Sequence, residues 1–327
     1  MDVRLALYEL MIRHKLDAGA GAALLRLAAL EREPEALAPL LRRGVAVLAA
    51  ALAGLGLILW IAANWETFGR FGRFALIQVV FTAMCAGALW RPAARVPLAL
   101  LALLAIGGLF AYFGQTYQTG ADPWQLFALW AVLALPLCLG ARSDVLWTPW
   151  ALVALTAVSL WVHAHTGHSW RVQADGLPVY ALGWGVALAL TALLAAPARR
   201  LTGAGIWSLR AAALLAIASV TLTALGALFN DGIAPQFWLA LVLMALAAAA
   251  LCQPRLHELF ALSALGLGLD VLLVGAMAHA LFEGNNNGGS LIGSLLLLGL
   301  AAAALLAGTV RFILLQSRRH AGAGEAA

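Results

Sequence analysis

Charged side chains are scarce in this sequence: Asp, Glu, Lys and Arg make up 11% of its 327 residues. Soluble globular domains average about 25% charged and about 45–50% apolar residues. Here 64% of the residues are hydrophobic and the mean hydropathy is +0.93. The composition excludes a soluble enzyme and predicts an all-α, polytopic transmembrane helix bundle.

Cysteine is also rare, and the common catalytic motifs do not occur. Cys85, Cys138 and Cys252 lie far apart inside apolar runs, which argues against a disulfide framework or a thiolate metal site. No phosphate-binding glycine loop, dinucleotide glycine pattern, HExxH zinc motif or GxSxG nucleophile elbow is found. The basic residues stand singly or in pairs, unlike a nucleic-acid-binding patch. We expect no cofactor, no metal and no nucleic-acid partner.

About ten apolar runs are long enough to suggest membrane spans, since a spanning helix needs roughly 20 mostly apolar residues. The third and fifth runs are short for separate spans. The ten runs are Gly44–Ala63, Phe74–Trp90, Pro97–Phe113, Pro123–Gly140, Leu146–Val162, Tyr180–Ala196, Ile206–Phe229, Pro235–Cys252, Leu259–Phe282 and Leu291–Leu315. We expect the bundle to occupy residues 44–316, with a cytoplasmic tail at 317–327.

The distribution of arginine predicts the orientation, because Lys and Arg in short loops are retained in the cytoplasm. With the N-terminus inside, the opposite loops carry only Arg70, Arg73 and Arg171. Both termini are then cytoplasmic, which requires an even number of spans. The arginines on the predicted cytoplasmic side are Arg42, Arg43, Arg91, Arg95, Arg142, Arg199, Arg200, Arg255, Arg318 and Arg319.

Residues 1–43 hold 13 of the 35 charged residues and are predicted to form a cytoplasmic amphipathic helical hairpin. Tyr8, Met11 and Ile12 fall at the spacing of one helix face. Asp17 is a plausible N-cap for a second helix. The hairpin is either a docking site for a protein partner or a cap that packs on the bundle or the lipid surface.

Polar side chains concentrate between the third and fourth runs. Gln115 and Gln118 are three residues apart, so a helical extension places them on one face, and Tyr117 suits the membrane interface. These residues predict either a ligand or ion site at the outer mouth of the bundle or a plain loop. Asp122 fits the same site, but it equally suits an N-cap before Pro123.

The first run ends in Asn64, Trp65 and Glu66 on the same predicted side. Asn64 can close the helix and Trp65 fits the aromatic belt, so both have a structural interpretation. Glu66 is less easily explained, because a negative charge is unfavourable at a helix C-terminus. We include all three as candidates for a ligand or ion path.

Asp270 lies in the middle of the ninth run, where a carboxylate costs at least about 2.5 kcal/mol on insertion scales. It predicts a proton or cation site, or alternatively an interhelical hydrogen bond made by a neutral carboxyl group. His279 lies on the opposite face of that helix, which argues against a direct relay. His163, His165 and His168 match no familiar zinc spacing and are interpreted as a polar loop.

Several of these segments together resemble a known family. The residues are Ala62-Ala63-Asn64-Trp65, Gly114-Gln115-Thr116-Tyr117-Gln118, and Gly120-Ala121-Asp122-Pro123 leading into Leu126–Ala131. They resemble a bacterial inner-membrane family catalogued as domain of unknown function two-one-five-seven, most specifically over residues 1–145. The resemblance implies a multi-span protein of the bacterial inner membrane. It brings no substrate or reaction.

Three functions remain open at this point. The first is a transport or permeation protein for a small polar or ionic solute, with the lipid bilayer as its environment and Asp270 as its intramembrane charge. The second is a non-catalytic assembly or sensory component whose N-terminal hairpin docks on a partner. The third is a membrane-embedded enzyme on lipid or lipid-linked substrates, with Glu66, Asp122 and the loop histidines as its acids and bases.

Overall fold

The computed structural model describes residues 3–28, 37–64, 67, 69–117, 120, 122–167, 171–229, 232–253, 256–282 and 288–325. These residues form thirteen α-helices and no strand, which confirms the all-α class. The helices are α1 (Val3–Arg13), α2 (Ala18–Leu27), α3 (Leu37–Ala63), α4 (Arg70–Trp90), α5 (Arg95–Tyr117), α6 (Pro123–Ala141), α7 (Asp144–His165), α8 (Leu177–Leu193), α9 (Arg199–Thr202), α10 (Ile206–Leu228), α11 (Pro235–Leu251), α12 (Leu259–Phe282) and α13 (Gly288–Glu325).

Among the described residues, nine helices are long and apolar enough to cross a membrane: α3 to α8, α10, α12 and α13. They correspond to nine of the ten predicted runs, including the short third and fifth runs. The remaining run is α11, an apolar helix of 17 residues. At 1.5 Å per residue it is about 25 Å long, at the lower limit for a hydrocarbon core of about 30 Å. The chain is a multi-pass membrane protein.

By its internal contacts the chain divides into two units, residues 1–49 and 50–327. In the first unit, α1 and α2 form where two amphipathic helices are predicted. Asp17 precedes α2, and its Oδ1 accepts a hydrogen bond of 2.7 Å from the backbone N–H of Ala20, as expected of an N-cap. The helix α3 begins at Leu37, seven residues before the predicted first run, so Arg42 and Arg43 lie in its first turns.

In the second unit, α7 and α10 are the central pair. Neighbouring helices pack in chain order, and α10 also packs against α7, α8 and α12. One apolar core gathers α5, α6, α7, α8 and α10 around Leu103, Trp147 and Ala212. A second core gathers α8, α10, α11 and α12 around Trp184, Phe237 and Leu272.

Two tryptophans bind α5, α6 and α7 together through backbone carbonyl groups. Trp130 Nε1 of α6 donates to the oxygen of Leu103 at 2.9 Å, and Trp150 Nε1 of α7 donates to that of Ala131 at 2.8 Å. A methyl group built on Gly107 would lie 2.4 Å from the Trp130 ring, so the glycine makes room for this contact. In lipid, the hydrophobic effect does not drive membrane helices together. Small residues and hydrogen-bonded indole groups therefore hold these helices close.

Candidate functional site

A polar stripe runs along the second half of α7, at intervals of three, four and three residues: Thr156, Ser159, His163 and Thr166. This is the spacing of one helix face. On α10, Ser219 and Thr223 share a face in the same way. All six side chains line one cavity of about 460 Å³ between α7, α8 and α10. The cavity brings hydroxyl groups together inside an otherwise apolar bundle.

The third wall of this cavity, α8, contributes Tyr180, Gly183 and Trp184. A methyl group built on Gly183 would lie 2.3 Å from Cγ2 of Val162, so a larger residue would have to displace the Val162 side chain of α7. Gly183 thereby allows two of the three walls to pack closely.

The cavity reaches from the middle of the bundle to the end where α7 stops at His165. A smaller polar pocket of about 240 Å³ lies at that end and is lined by His165, Arg171 and Asp175. Thr166 and Tyr180 line both spaces. The polar pocket and the deeper cavity therefore adjoin at these two residues. The Thr166 hydroxyl donates to the backbone oxygen of Val162 at 2.9 Å.

At the opposite end of α7, Asp144 fixes the position of α10. Its Oδ1 accepts hydrogen bonds from the backbone N–H groups of Gly205 at 2.9 Å and Ser208 at 3.0 Å, and its Oδ2 accepts one from Trp207 at 2.9 Å. The first N–H groups of a helix have no partner within the helix, and a carboxylate is favoured there. The buried indole of Trp147 adds a 2.8 Å hydrogen bond to the Thr202 oxygen. The cavity thus opens between helices that are joined at their far end.

An ion pair joins α10 to the start of α12 at this same far end. Nε and Nη2 of Arg210 both lie 3.0 Å from Oε1 of Glu258. Oε2 of Glu258 accepts a hydrogen bond from the backbone N–H of Ala261 and so caps α12. The guanidinium group also lies 5.4 Å from the ring centre of Phe260. Glu258 is 9% exposed, and its charge is matched by a direct partner.

The predicted site residues near the end of α5 lie at a different cleft. Gln115 lines an apolar space of about 410 Å³ between α3, α4 and α5, together with Ala62 and Tyr112. The Tyr117 ring packs against Phe113, with ring centres 4.9 Å apart. Asn64 closes α3 as predicted, because its Nδ2 donates to the Trp60 oxygen at 3.0 Å. The structure therefore places Gln115 beside an apolar space.

Asp122 stands at the N-cap position of α6, and Pro123 is the first helical residue, as the structural interpretation predicts. The Trp124 ring that follows lies 6.0 Å from His165 at the end of α7. Trp124 and Trp161 line a separate apolar pocket of about 260 Å³. Asp122 lines neither this pocket nor the Gln115 cleft.

Trp65, Glu66, Gln118 and His168 lie outside the described residues. The prediction of a polar loop is wrong for His163 and His165, because α7 continues through both residues. They line the cavity and the polar pocket, respectively. Over the part of the chain that the structure describes, no group of three or more His, Cys, Asp or Glu side chains is arranged to hold a metal ion.

Asp270 is buried in the middle of α12, with 8% of its surface exposed. Its Oδ1 accepts a 2.9 Å hydrogen bond from the Thr309 hydroxyl of α13. His279 instead has its ring 5.9 Å from that of Phe229 at the end of α10. The two side chains therefore meet different helices, which agrees with their opposite faces on α12. Asp270 does not line the Gln115 cleft or the hydroxyl-lined cavity.

Residues 9–147 match the family described as "Predicted membrane protein (DUF2157)". The resemblance of this part of the chain is confirmed. No curated protein and no solved structure matches the chain. The DUF2157 match ends at Trp147, in the first turn of α7. It includes Asn64, Gln115, Asp122 and Asp144, whereas the hydroxyl-lined cavity and Asp270 lie beyond it.

Apart from His163, the polar residues of the cavity are missing from the sequence-based candidates. Each hydroxyl alone is an unremarkable member of an apolar run. The available signal was the repeat along α7, where polar side chains return every three or four residues on one face. The facing pair on α10 has the same spacing. The sequence does not show, however, that α7 faces α10, because this depends on packing between helices about 60 residues apart in the chain.

Proposed function

We propose that this protein is a transport or permeation protein for a small polar solute, and that the solute occupies the cavity between α7, α8 and α10. The observation that carries the proposal is the stripe of hydroxyl groups and one imidazole along this cavity. Ser and Thr are common where membrane helices pack, but an ionisable side chain such as His163 is costly there and commonly marks a substrate or ion path. A binding site near the middle of the bundle is typical of secondary transporters.

The lining of the cavity favours a neutral solute over an ion. Among the described residues it contains no Asp, Glu, Lys or Arg, and its polar groups are hydroxyls and the imidazole of His163. The Thr166 hydroxyl donates to the backbone oxygen of Val162 at 2.9 Å. The Thr223 hydroxyl donates to that of Ser219 at 2.8 Å. The oxygens of these hydroxyls can still accept hydrogen bonds, which suits a solute carrying hydroxyl or amide N–H groups. The charged residues Arg171 and Asp175 lie only in the outer pocket.

Thiol labelling tests whether the cavity is wet. In a variant with Cys85, Cys138 and Cys252 replaced by alanine, single cysteines are placed at Ser159, Ser219 and Thr223. A membrane-impermeant maleimide is expected to label these positions but not L214C, which lies exposed on α10 outside the cavity. If the cavity positions stay as unreactive as L214C, lipid fills the space and the proposal fails.

The same variants distinguish a transport path from a one-sided binding site. Alternating access exposes a central site to each side in turn. We therefore expect S219C to react with impermeant maleimide added to either side of the membrane. Reaction from one side only, under all conditions, would indicate a receptor for a solute and would rule out transport.

The proposal also includes the membrane and the orientation of the protein in it. The DUF2157 match and the nine apolar spans support a multi-pass protein of a bacterial inner membrane. The excess of arginine in alternate loops supports cytoplasmic N- and C-termini, which requires that the shorter helix α11 crosses the membrane as a tenth span. The end of the bundle that holds His165, Arg171 and Asp175 would then face the outside, and the polar pocket would be its outer entrance.

A second candidate function is docking of a cytoplasmic protein on the N-terminal hairpin. The observation that favours it is the exposure of Tyr8 and Ile12, which are 53% and 77% exposed on α1. A Y8S/I12S variant would lose a docking partner in cross-linking experiments while keeping maleimide labelling of the cavity. Loss of cavity labelling in that variant would instead show that the hairpin supports the bundle.

A further inference from the structure

Two carboxyl groups of this protein are buried to the same extent but have very different neighbours. Glu258 is 9% exposed and pairs with the guanidinium group of Arg210 at 3.0 Å. Asp270 is 8% exposed, and one of its oxygens receives a single hydroxyl hydrogen bond from Thr309. Its other oxygen, Oδ2, is buried without a hydrogen-bond partner among the described residues.

The charged and titratable side chains on the helices around Asp270 are directed elsewhere. On α10, Arg210 forms an ion pair with Glu258. On α12, His279 meets Phe229. On α13, Arg311 and Arg318 are both exposed, and Arg311 lies two residues beyond Thr309 on a different face of the helix. The described helix α11 carries no Asp, Glu, Lys, Arg or His. No cation thus neutralises a carboxylate at position 270 within the described chain.

The contacts of Asp270 do not provide enough ligands for a bound metal ion that could neutralise its carboxylate. Hard cations such as Ca²⁺ take six to eight oxygen ligands, and Mg²⁺ takes six. The contacts of Asp270 offer two carboxyl oxygens and one hydroxyl group. A proton, in contrast, needs only Oδ2 and removes the buried charge completely.

We infer that Asp270 is a proton-binding site, carrying its proton on Oδ2 while Oδ1 accepts the hydrogen bond from Thr309. The site joins α12 to α13. Releasing the proton would leave a carboxylate with a single hydroxyl donor in the bundle, so proton release requires water or a separation of the two helices. The inference does not depend on the function of the α7, α8 and α10 cavity.

Infrared spectroscopy of the purified, full-length protein in lipid bilayers tests the inference directly. A carboxylic acid has a C=O stretching band that a carboxylate lacks. The difference spectrum between wild type and D270N at neutral pH is expected to show loss of one carboxylic-acid band. The matched control is E258Q, which should lose carboxylate bands, because Glu258 is paired with Arg210. Loss of carboxylate bands in D270N would overturn the inference.

A second variant leaves the carboxyl group in place. T309V removes the hydroxyl donor to Oδ1, so the acid band should move to higher frequency without changing in intensity. This readout holds even if D270N fails to fold. If T309V alters only carboxylate bands, Asp270 is ionised and the inference is wrong.

Discussion

Oδ1 of Asp144 lies 3.0 Å from the backbone nitrogen of Ser208, which joins the first turn of α7 to the first turn of α10. The two residues are separated by 64 positions in the chain. The same carboxylate also accepts hydrogen bonds from the backbone N–H groups of Gly205 and Trp207. A single side chain on one helix thus supplies the N-cap of another. This contact fixes the α7 and α10 walls of the proposed solute cavity relative to each other.

Replacing Asp144 by alanine is expected to destabilise the bundle. D144A leaves three backbone N–H groups without their acceptor, at a cost of about 2–3 kcal/mol. The measurement is the melting temperature of the detergent-purified protein, followed by thiol exposure or aggregation. D175A is the matched control, because Asp175 is exposed and lies in the outer pocket. Equal melting temperatures for D144A and D175A would contradict the role of Asp144.

Gly205 provides an independent test of the same contact. A methyl group built on Gly205 would lie 2.4 Å from Cγ of Asp144, although its backbone conformation, φ −103° and ψ −162°, suits any residue. G205A should therefore lower the melting temperature by crowding the carboxylate. In the D144A background the same change should cost much less, because the crowded group is gone. Additive effects in this double-mutant cycle would show that Gly205 acts separately from Asp144.

The ion pair between Arg210 and Glu258 should also show strong coupling. Removing one partner of a fully buried pair leaves an uncompensated charge and costs about 3–5 kcal/mol, and we expect less here because Arg210 is 29% exposed. We expect R210M to destabilise more than the double variant R210M/E258Q, in which no charge is left. Melting temperatures of the two single variants and the double variant form the test. If the double variant is the least stable of the three, the pair is not coupled in this way.

Much of the fold could be predicted from hydropathy alone. Long apolar runs separated by short charged loops predict helices because lipid leaves a backbone no other way to satisfy its hydrogen bonds. The cap at Asp17 was also predictable, and Asp122 stands at the predicted N-cap position of α6, although its side chain makes no capping hydrogen bond there. The start of α3 was predicted seven residues late, because Arg42 and Arg43 interrupt the apolar run but not the helix.

The candidate site was much less predictable. Asp144 falls in the short connection between the fourth and fifth predicted runs, and its role depends on α10 approaching from about 60 residues away. Arg210 and Glu258 likewise meet only after α10 and α12 have packed. Asp270 could be identified because a charge in the middle of a span is unusual by itself. Its hydroxyl partner, Thr309, belongs to another helix and carries no sequence signal.

The predicted orientation is testable with two exposed residues at opposite ends of α8. Asp175 precedes this helix, and Arg200 follows it beside the predicted cytoplasmic Arg199 and Arg142. Loops with few Lys or Arg residues are not retained in the cytoplasm, and the loop of Asp175 is one of them. In the cysteine-free background, D175C should therefore react with impermeant maleimide in intact cells. R200C should react only after the membrane is permeabilised. The reverse pattern would place the arginine-rich loops outside, and labelling of both in intact cells would mean that α8 does not cross the membrane.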